Sequence, residues 1–371
     1  MTQTLYIRPI GLAESPQGED GEAIRLAGGL VYAFRFALIV RENGSIVSRA
    51  RVSAPDMPGA LDRLPTDLAG EGQAQWAALR RSHPPLQCGP RTVRLDQPQV
   101  MGILNMTPDS FSDGGKFLDD PAEALNHAAA MLEAGAAIID VGGESTRPGA
   151  PAVWEGDELK RVAPVIEKLA AGGAAVSIDS RRSSVIEAAI AAGAHIVNDV
   201  SALRHDPRSI EIVARSGLPV VLMHAPGNGD DLHGDGRYQD VVLDVFDGLR
   251  ERRDAALAAG VAQDRIVLDP GIGFGKSLAE NLALINALAL FHALGQPLLV
   301  GASRKRMIGA LSNEAPAQQR LGGSLLLAAK AFDAGVQLVR VHDVAETVQA
   351  LHVWRGLRDA ALTDFSQMGA N

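Results

Sequence analysis

The chain holds a single cysteine, Cys88. That excludes an intrachain disulfide framework and a multi-cysteine metal site. Aromatic residues are also scarce, at 4% of 371 residues. They are too few for the stacking wall that single-stranded nucleic-acid binders present. An excess of positive charge is missing as well. The 35 Lys and Arg stand against 44 Asp and Glu, a formal net charge of −9, which disfavours global attraction to nucleic acid or anionic lipid. A few local Arg and Lys can still grip a small anion. No apolar run reaches the length of a membrane span. The nearest, Leu284–Gly301, is interrupted by Asn286, His292, Gln296 and Pro297. The opening Met-Thr-Gln-Thr-Leu-Tyr lacks the charged and apolar regions of a secretion signal. The expectation is a cytoplasmic protein with neither nucleic-acid nor membrane partners. H-E-x-x-H and G-x-S-x-G do not occur. Gly271–Ser277 is not a P-loop, because Pro270 stands where the first glycine belongs. His205, His224 and His233 lack metal-ligand spacing and read as loop or capping residues.

What is present is ordinary globular material: 46% apolar, 21% charged, with 39 Gly and 20 Pro to punctuate turns. The chain changes character near residue 98. Before it the pattern is irregular. Phe34–Val40 and Ile46–Val52 flank Asn43-Gly44, a hairpin signal. Glu71–Arg81 predicts a short helix, Pro55–Gly70 a loop, and Cys88–Gln99 a short hairpin or lead-in. From Val100 onward, eight short apolar runs alternate with helical stretches: Val100–Leu104, Ile138–Val141, Ala174–Ile178, His195–Val197, Val220–Met223, Ile266–Leu268, Leu298–Val300 and Leu338–Val341. Continuous apolar runs suit parallel strands buried on both faces. Several intervening stretches end in Ala-Gly, the mark of a glycine just past a helix. The expectation is the α/β class, a (β/α)8 TIM barrel over 98–371, with a small α+β extension of unknown role over 1–97. A doubly wound sheet is the alternative on pattern alone.

The C-terminal ends of barrel strands face the active site. Here they read Asn105, Asp140, Asp179, Asn198-Asp199, His224, Asp269, Ser303-Arg304-Lys305 and Arg340-His342. One polar residue after a strand is usually a turn former or a helix cap, and Asp140 and Asp199 fit loop-holding or local pairing with Arg. Eight such ends at one mouth indicate a site. Asp179, Asn198, Asp269 and Lys305 suit the edge of a flat heterocycle with N–H donors and acceptors. Lys305, Arg306, Arg340 and His342 follow strands seven and eight, where barrels often hold phosphate. Asn105 could ligate Mg²⁺ carried by a diphosphate. Thr107–Gly115 and Gly142–Gly149 are polar, Gly-rich loops of a kind that closes over a reaction.

These motifs carry a resemblance. MGILNMTPDSFSDGG at Met101–Gly115 and IIDVGGESTRPG at Ile138–Gly149 resemble the two signatures of dihydropteroate synthases. SIDSR, IVNDV, LMH, DPGIGFGK, GASRK and RVHDV follow in the family's order, and the likeness spans about residues 98–360. It implies a (β/α)8 barrel that condenses (7,8-dihydropterin-6-yl)methyl diphosphate with 4-aminobenzoate, uses Mg²⁺, forms a homodimer and is a target of sulfonamides. By the same likeness, Asn105 is the metal ligand. Asp179, Asn198, Met223, Asp269 and Lys305 surround the pterin. Thr146, Arg340, Val341 and His342 surround the substrate and its diphosphate. Pro148, Phe274 and Arg306 surround the aminobenzoate, although many relatives carry Ser at the Arg306 position. Asp113, Arg147, Lys305, Arg340 and His342 make up the catalytic set. After Leu222-Met223-His224 many relatives continue Met-Gln-Gly, whereas this chain has Ala225-Pro226-Gly227. A folate-to-cobalamin methyltransferase and a non-catalytic pterin-binding relative remain as alternatives. The first would not need the anion site, and the second should have lost residues at the mouth.

Overall fold

The computed structural model describes residues 3–16, 22–107, 121–146, 149–150, 153–227, 231–234 and 236–363. Its first elements are the strands β1 (Gln3–Ala13), β2 (Ile24–Arg25), β3 (Tyr32–Glu42) and β4 (Ser45–Ser53). β3 lies antiparallel between β1 on one side and β4 and β2 on the other. Asn43 and Gly44, at φ of 48° and 82°, form the two-residue turn between β3 and β4, the geometry that Asn-Gly favours in hairpins. The long strand β1 was not expected, and Pro55–Gly70 is not the expected loop. It contains α1 (Met57–Asp62) and the start of α2 (Thr66–Leu79). Pro58 sits in the first turn of α1, where its missing N–H is not required.

α2 covers the free edge of β1. The Gln75 side chain accepts from the Ile7 N–H at 2.9 Å and donates to the Leu5 carbonyl at 2.6 Å. Glu71 accepts from the Leu5 N–H at 2.8 Å. Backbone groups that would template another strand are thereby satisfied. The extension docks on the helical shell of the barrel. Tyr6 packs edge-on against Phe246 at 5.4 Å, and its hydroxyl donates to Asp247 at 2.7 Å. Arg41 pairs with Asp244 at 2.6 Å and Arg250 with Glu71 at 2.7 Å. Trp76 and Leu79 are buried, and one hydrophobic core runs through the extension and the shell.

A hairpin of β5 (Leu86–Cys88) and β6 (Arg91–Val93) follows. Then come eight parallel strands: β7 (Gln99–Asn105), β8 (Ile138–Gly142), β9 (Val176–Asp179), β10 (Ile196–Asp199), β11 (Val220–Met223), β12 (Ile266–Asp269), β13 (Leu299–Val300) and β14 (Leu338–Val341). All eight expected runs are strands. The sheet order is β12-β11-β10-β9-β8-β7-β14-β13, and a parallel bridge between Leu268 and Leu298 closes it into a barrel. Helices Pro121–Glu133, Glu155–Ala171, Ser183–Ala191, Pro207–Ser216, Val241–Ala258, Leu278–Ile285, Leu321–Asp333 and Val344–Leu362 lie between and after the strands. The β5–β6 hairpin seals the barrel floor. Leu86, Cys88, Val93 and Leu95 pack on one apolar residue from or just before each of the eight strands, among them Met101, Ile196 and Leu338. None of the described helices is long and apolar enough to cross a membrane.

Candidate active site

Strand register sets the first row of groups. Asn105 pairs across to Gly142, Gly142 to Asp179, and Asp179 to Asn198. Four neighbouring strands thus end on one level, and the bare backbone of Gly142 leaves space over which its neighbours reach. A Cβ there would meet both Asn105 Oδ1 and Asp179 Oδ2 at 3.7 Å. Asn105, Asp179 and Asn198 line a cavity of about 1270 Å³ at the C-terminal mouth, together with Thr146, Met223, Asp269, Phe274, Lys305, Arg306, Arg340 and His342. Val341 does not join them. It is the next residue along β14 after Arg340, and strand side chains alternate, so it is buried in the hydrophobic core. Asp113, Arg147 and Pro148 lie outside the described residues.

An ion-pair network spans the cavity floor. Arg340 Nε donates to Asp140 Oδ2 at 2.5 Å, and its Nη2 donates to Asp179 Oδ2 at 2.7 Å. Asp140 is fully buried, and its Oδ1 has no hydrogen-bond partner among the described residues. Asn198 Nδ2 donates to Asp140 Oδ2 at 3.1 Å, which leaves the Asn198 amide oxygen to accept from a ligand. Burial pushes the Asp179 carboxyl up to about 7, against the pull of Arg340. The Arg340 guanidinium is held charged by Asp140 and Asp179, against its own burial. Asp199 serves the loop instead, accepting from Ser201 and Leu203 N–H groups at 2.7 and 3.2 Å.

The sixth loop forms the opposite wall. Asp269 Oδ1 accepts from the Gly271 N–H at 2.7 Å. Burial raises its carboxyl to about 6, although Gly271, Lys305 and Lys276 oppose the shift. Lys305 is pushed down to about 8 by burial, while Asp269 favours its charge. Its ammonium sits 4.0 Å from the Phe274 ring centroid, a cation–π distance. Lys276 turns inward and donates to the carbonyls of His224, Gly271 and Phe274 at 3.3, 2.9 and 3.0 Å. It braces the loop from within, as no P-loop lysine would. Gly271 and Gly275 are required here. Both have positive φ, and a Cβ would come within 1.9 Å of the His224 carbonyl oxygen or 2.1 Å of Pro226 Cγ.

Two further features set the outer part of the mouth. Arg304 adopts φ of 56° and pairs with Asp343, while its carbonyl accepts from Arg320 at 2.9 Å. This turn aims Lys305 into the cavity and leaves Arg306 exposed at the rim. Ser303 Oγ lies 3.1 Å from His342 Nδ1 and accepts from the His342 backbone N–H at 3.2 Å. His233 is a loop residue, as expected, but it has partners that the sequence did not indicate. Its ring stacks on Phe274 with centroids 5.1 Å apart at 14°, and its Nε2 lies 2.6 Å from the Thr146 carbonyl oxygen. Nothing local in the sequence signals this, because both partners are remote in the chain. Among the described residues no cluster of His, Cys, Asp or Glu could hold a resident metal ion.

The family described as pterin binding enzyme matches residues 101–342. The dihydropteroate synthase of Escherichia coli (strain K12) is 48% identical over 263 residues, 71% of this chain and 92% of that protein. The structure of Xanthomonas albilineans dihydropteroate synthase with 4-aminobenzoic acid is 47% identical and aligns with a TM-score of 0.69, covering 75% of this chain and 99% of that one. The complex of the enzyme from that organism with 7,8-dihydropteroate aligns with a TM-score of 0.67 at 43% identity, covering 74% of this chain and 99% of that one.

Proposed function

The chain belongs to the dihydropteroate synthases, within the pterin-binding enzymes, and from that premise we propose that it condenses (7,8-dihydropterin-6-yl)methyl diphosphate with 4-aminobenzoate to give 7,8-dihydropteroate and diphosphate. The observation that carries this reading is a set of acceptors, the half-buried Asp179 and the buried Asn198 and Asp269, facing one cavity with Lys305 and Arg340. A pterin edge offers N–H donors to such acceptors. Those donors favour the carboxylate forms and offset the burial that raises Asp179 and Asp269. Gripped along that edge, the pterin turns its methylene carbon toward the rim.

The aryl amine belongs between Phe274 and the exposed guanidinium of Arg306, which has no hydrogen-bond or ion-pair partner among the described residues and suits the para carboxylate. The amine nitrogen forms a C–N bond to the pterin methylene carbon. The C–O bond to diphosphate breaks, its electron pair stays on the leaving oxygen, and the amine's proton passes to solvent. The electron-rich pterin ring spreads the positive charge, while Arg340 and His342 face the negative charge. The aromatic amine is already nucleophilic, so positioning and electrostatics carry the rate. Asn105, over the open space at Gly142, suits a Mg²⁺ that keeps diphosphate oxygens and water as its other ligands. When bound, that ion neutralises charge on the leaving group. On the resemblance, Asp113 and Arg147 complete the site and Pro148 borders the aryl slot.

Diphosphate release with each substrate omitted in turn tests the reading. Release from the pterin ester alone, or none with both substrates, refutes a condensation. Full turnover in excess chelator refutes the metal. Residues 98–371 are proposed as the catalytic barrel, and 1–97 as an extension that serves stability. A homodimer is proposed through the last two shell helices, where Leu326, Val353 and Leu357 are each more than 60% exposed. A monomeric mass by light scattering at assay concentration would refute it.

A further inference from the structure

We infer that His233 is a positioning residue for the aryl-amine half of the site, an assignment that rests on Phe274 belonging to that half. Three loops meet at this one side chain. His233 belongs to the loop after β11, Phe274 to the loop after β12, and Thr146 to the loop after β8. The ring covers Phe274 at 5.1 Å and 14°, close to parallel. The same phenyl ring carries the Lys305 ammonium at 4.0 Å, so imidazole and ammonium together fix its plane. At the other end of the imidazole, Nε2 reaches the Thr146 carbonyl oxygen at 2.6 Å. A carbonyl only accepts, so Nε2 carries the proton and donates.

The segment that presents the ring is itself anchored. Leu232 is buried in a small apolar cluster with Val200, Met223, Ala225 and Phe274. The His233 backbone N–H donates to Asp231 Oδ1 at 3.0 Å. His233 therefore ties the aromatic wall to the loop opposite with one flat group that both stacks and donates. A metal-ligand role is not what the geometry points to, since no cluster of metal-binding side chains gathers here among the described residues.

The test is a variant series in the full chain. Parent turnover that depends on both substrates first secures the reading on which the proposal rests. His233→Ala should then raise KM for 4-aminobenzoate roughly tenfold, because Phe274 is no longer held in one plane for the aryl ring to pack on. The melting temperature and the affinity for a pterin lacking diphosphate, read by calorimetry, should stay unchanged. His233→Phe keeps the stack and His233→Gln keeps the donor, so each should recover part of KM. Against an active parent, an unchanged KM in His233→Ala overturns the proposal. So does a KM that rises in step with pterin affinity loss or with a drop in melting temperature, because that would be a general structural defect.

Discussion

Replacing Asp269 with Asn should make the unliganded protein more stable while weakening its grip on pterin. The side chain is 7% exposed, and burial raises its carboxyl from 3.8 to about 6. A tenfold change in proton affinity is about 1.4 kcal/mol, so holding the ionised form at neutral pH costs the fold about 3 kcal/mol. The sign follows from proton binding. Between about pH 4 and 6 the folded state holds the proton and the unfolded state does not, so stability falls as pH rises through that window. Asn keeps an oxygen to accept from Gly271 and carries no charge. The neighbouring Lys305 and Lys276 lose a counter-charge, so the net gain at pH 7.5 should be smaller, roughly 1–2 kcal/mol. Paired thermal melts of parent and variant at pH 7.5 and 5 measure this, because other titrating groups cancel in the difference. The variant should melt higher at pH 7.5, and the gap should shrink at pH 5. A variant that melts lower at pH 7.5, or a gap independent of pH, would refute the reasoning. Pterin affinity by calorimetry should fall at least tenfold, the order of a lost charge-assisted hydrogen bond.

Other perturbations follow from the same geometry. Arg340→Lys keeps a charge but cannot bridge Asp140 and Asp179 together. It should lower turnover of the diphosphate ester roughly 100-fold and affect bare-pterin binding less; an equal loss in both would assign Arg340 to the pterin pocket alone. Arg306→Ser should raise KM for 4-aminobenzoate by about five- to tenfold and weaken its salt dependence, while inhibition by a neutral sulfonamide stays competitive and nearly unchanged. A noncompetitive pattern would contradict a shared slot. A chain starting at Leu86 retains the barrel floor but uncovers Phe246 and its neighbours. It should keep turnover and lose more than about 5 °C in melting temperature. A folded barrel with a sharp melt and no turnover would mean that the extension reaches the chemistry.

The barrel was legible because its strands are buried on both faces, so each appears as a short unbroken apolar run such as Val220–Met223. The mouth was legible because strand ends share a level, and that puts Asn105, Asp179 and Asn198 side by side. Other elements hid for physical reasons. In Gln3–Ala13, Pro9 and Gly11 read as strand breakers, yet the strand absorbs them with register shifts at that point. The six residues of α1 begin with Met-Pro-Gly and look like a turn until the helix is seen to start there. Val341 was misplaced because a motif match ignores the alternation that turns it away from Arg340. His233 left no trace, since a stack and a hydrogen bond to remote loops have no sequence period.

The hairpin beneath the barrel adds a second layer under an interior that the strands' own side chains already fill. The two substrates of the proposed reaction therefore come and go at the mouth. Asp269 and Asn198 lie deep and buried, whereas Arg306 stands at the exposed lip. On the proposed reaction, a ring gripped at the bottom enters before one seated at the lip. The depths of the two seats within the mouth then set the order in which the substrates queue.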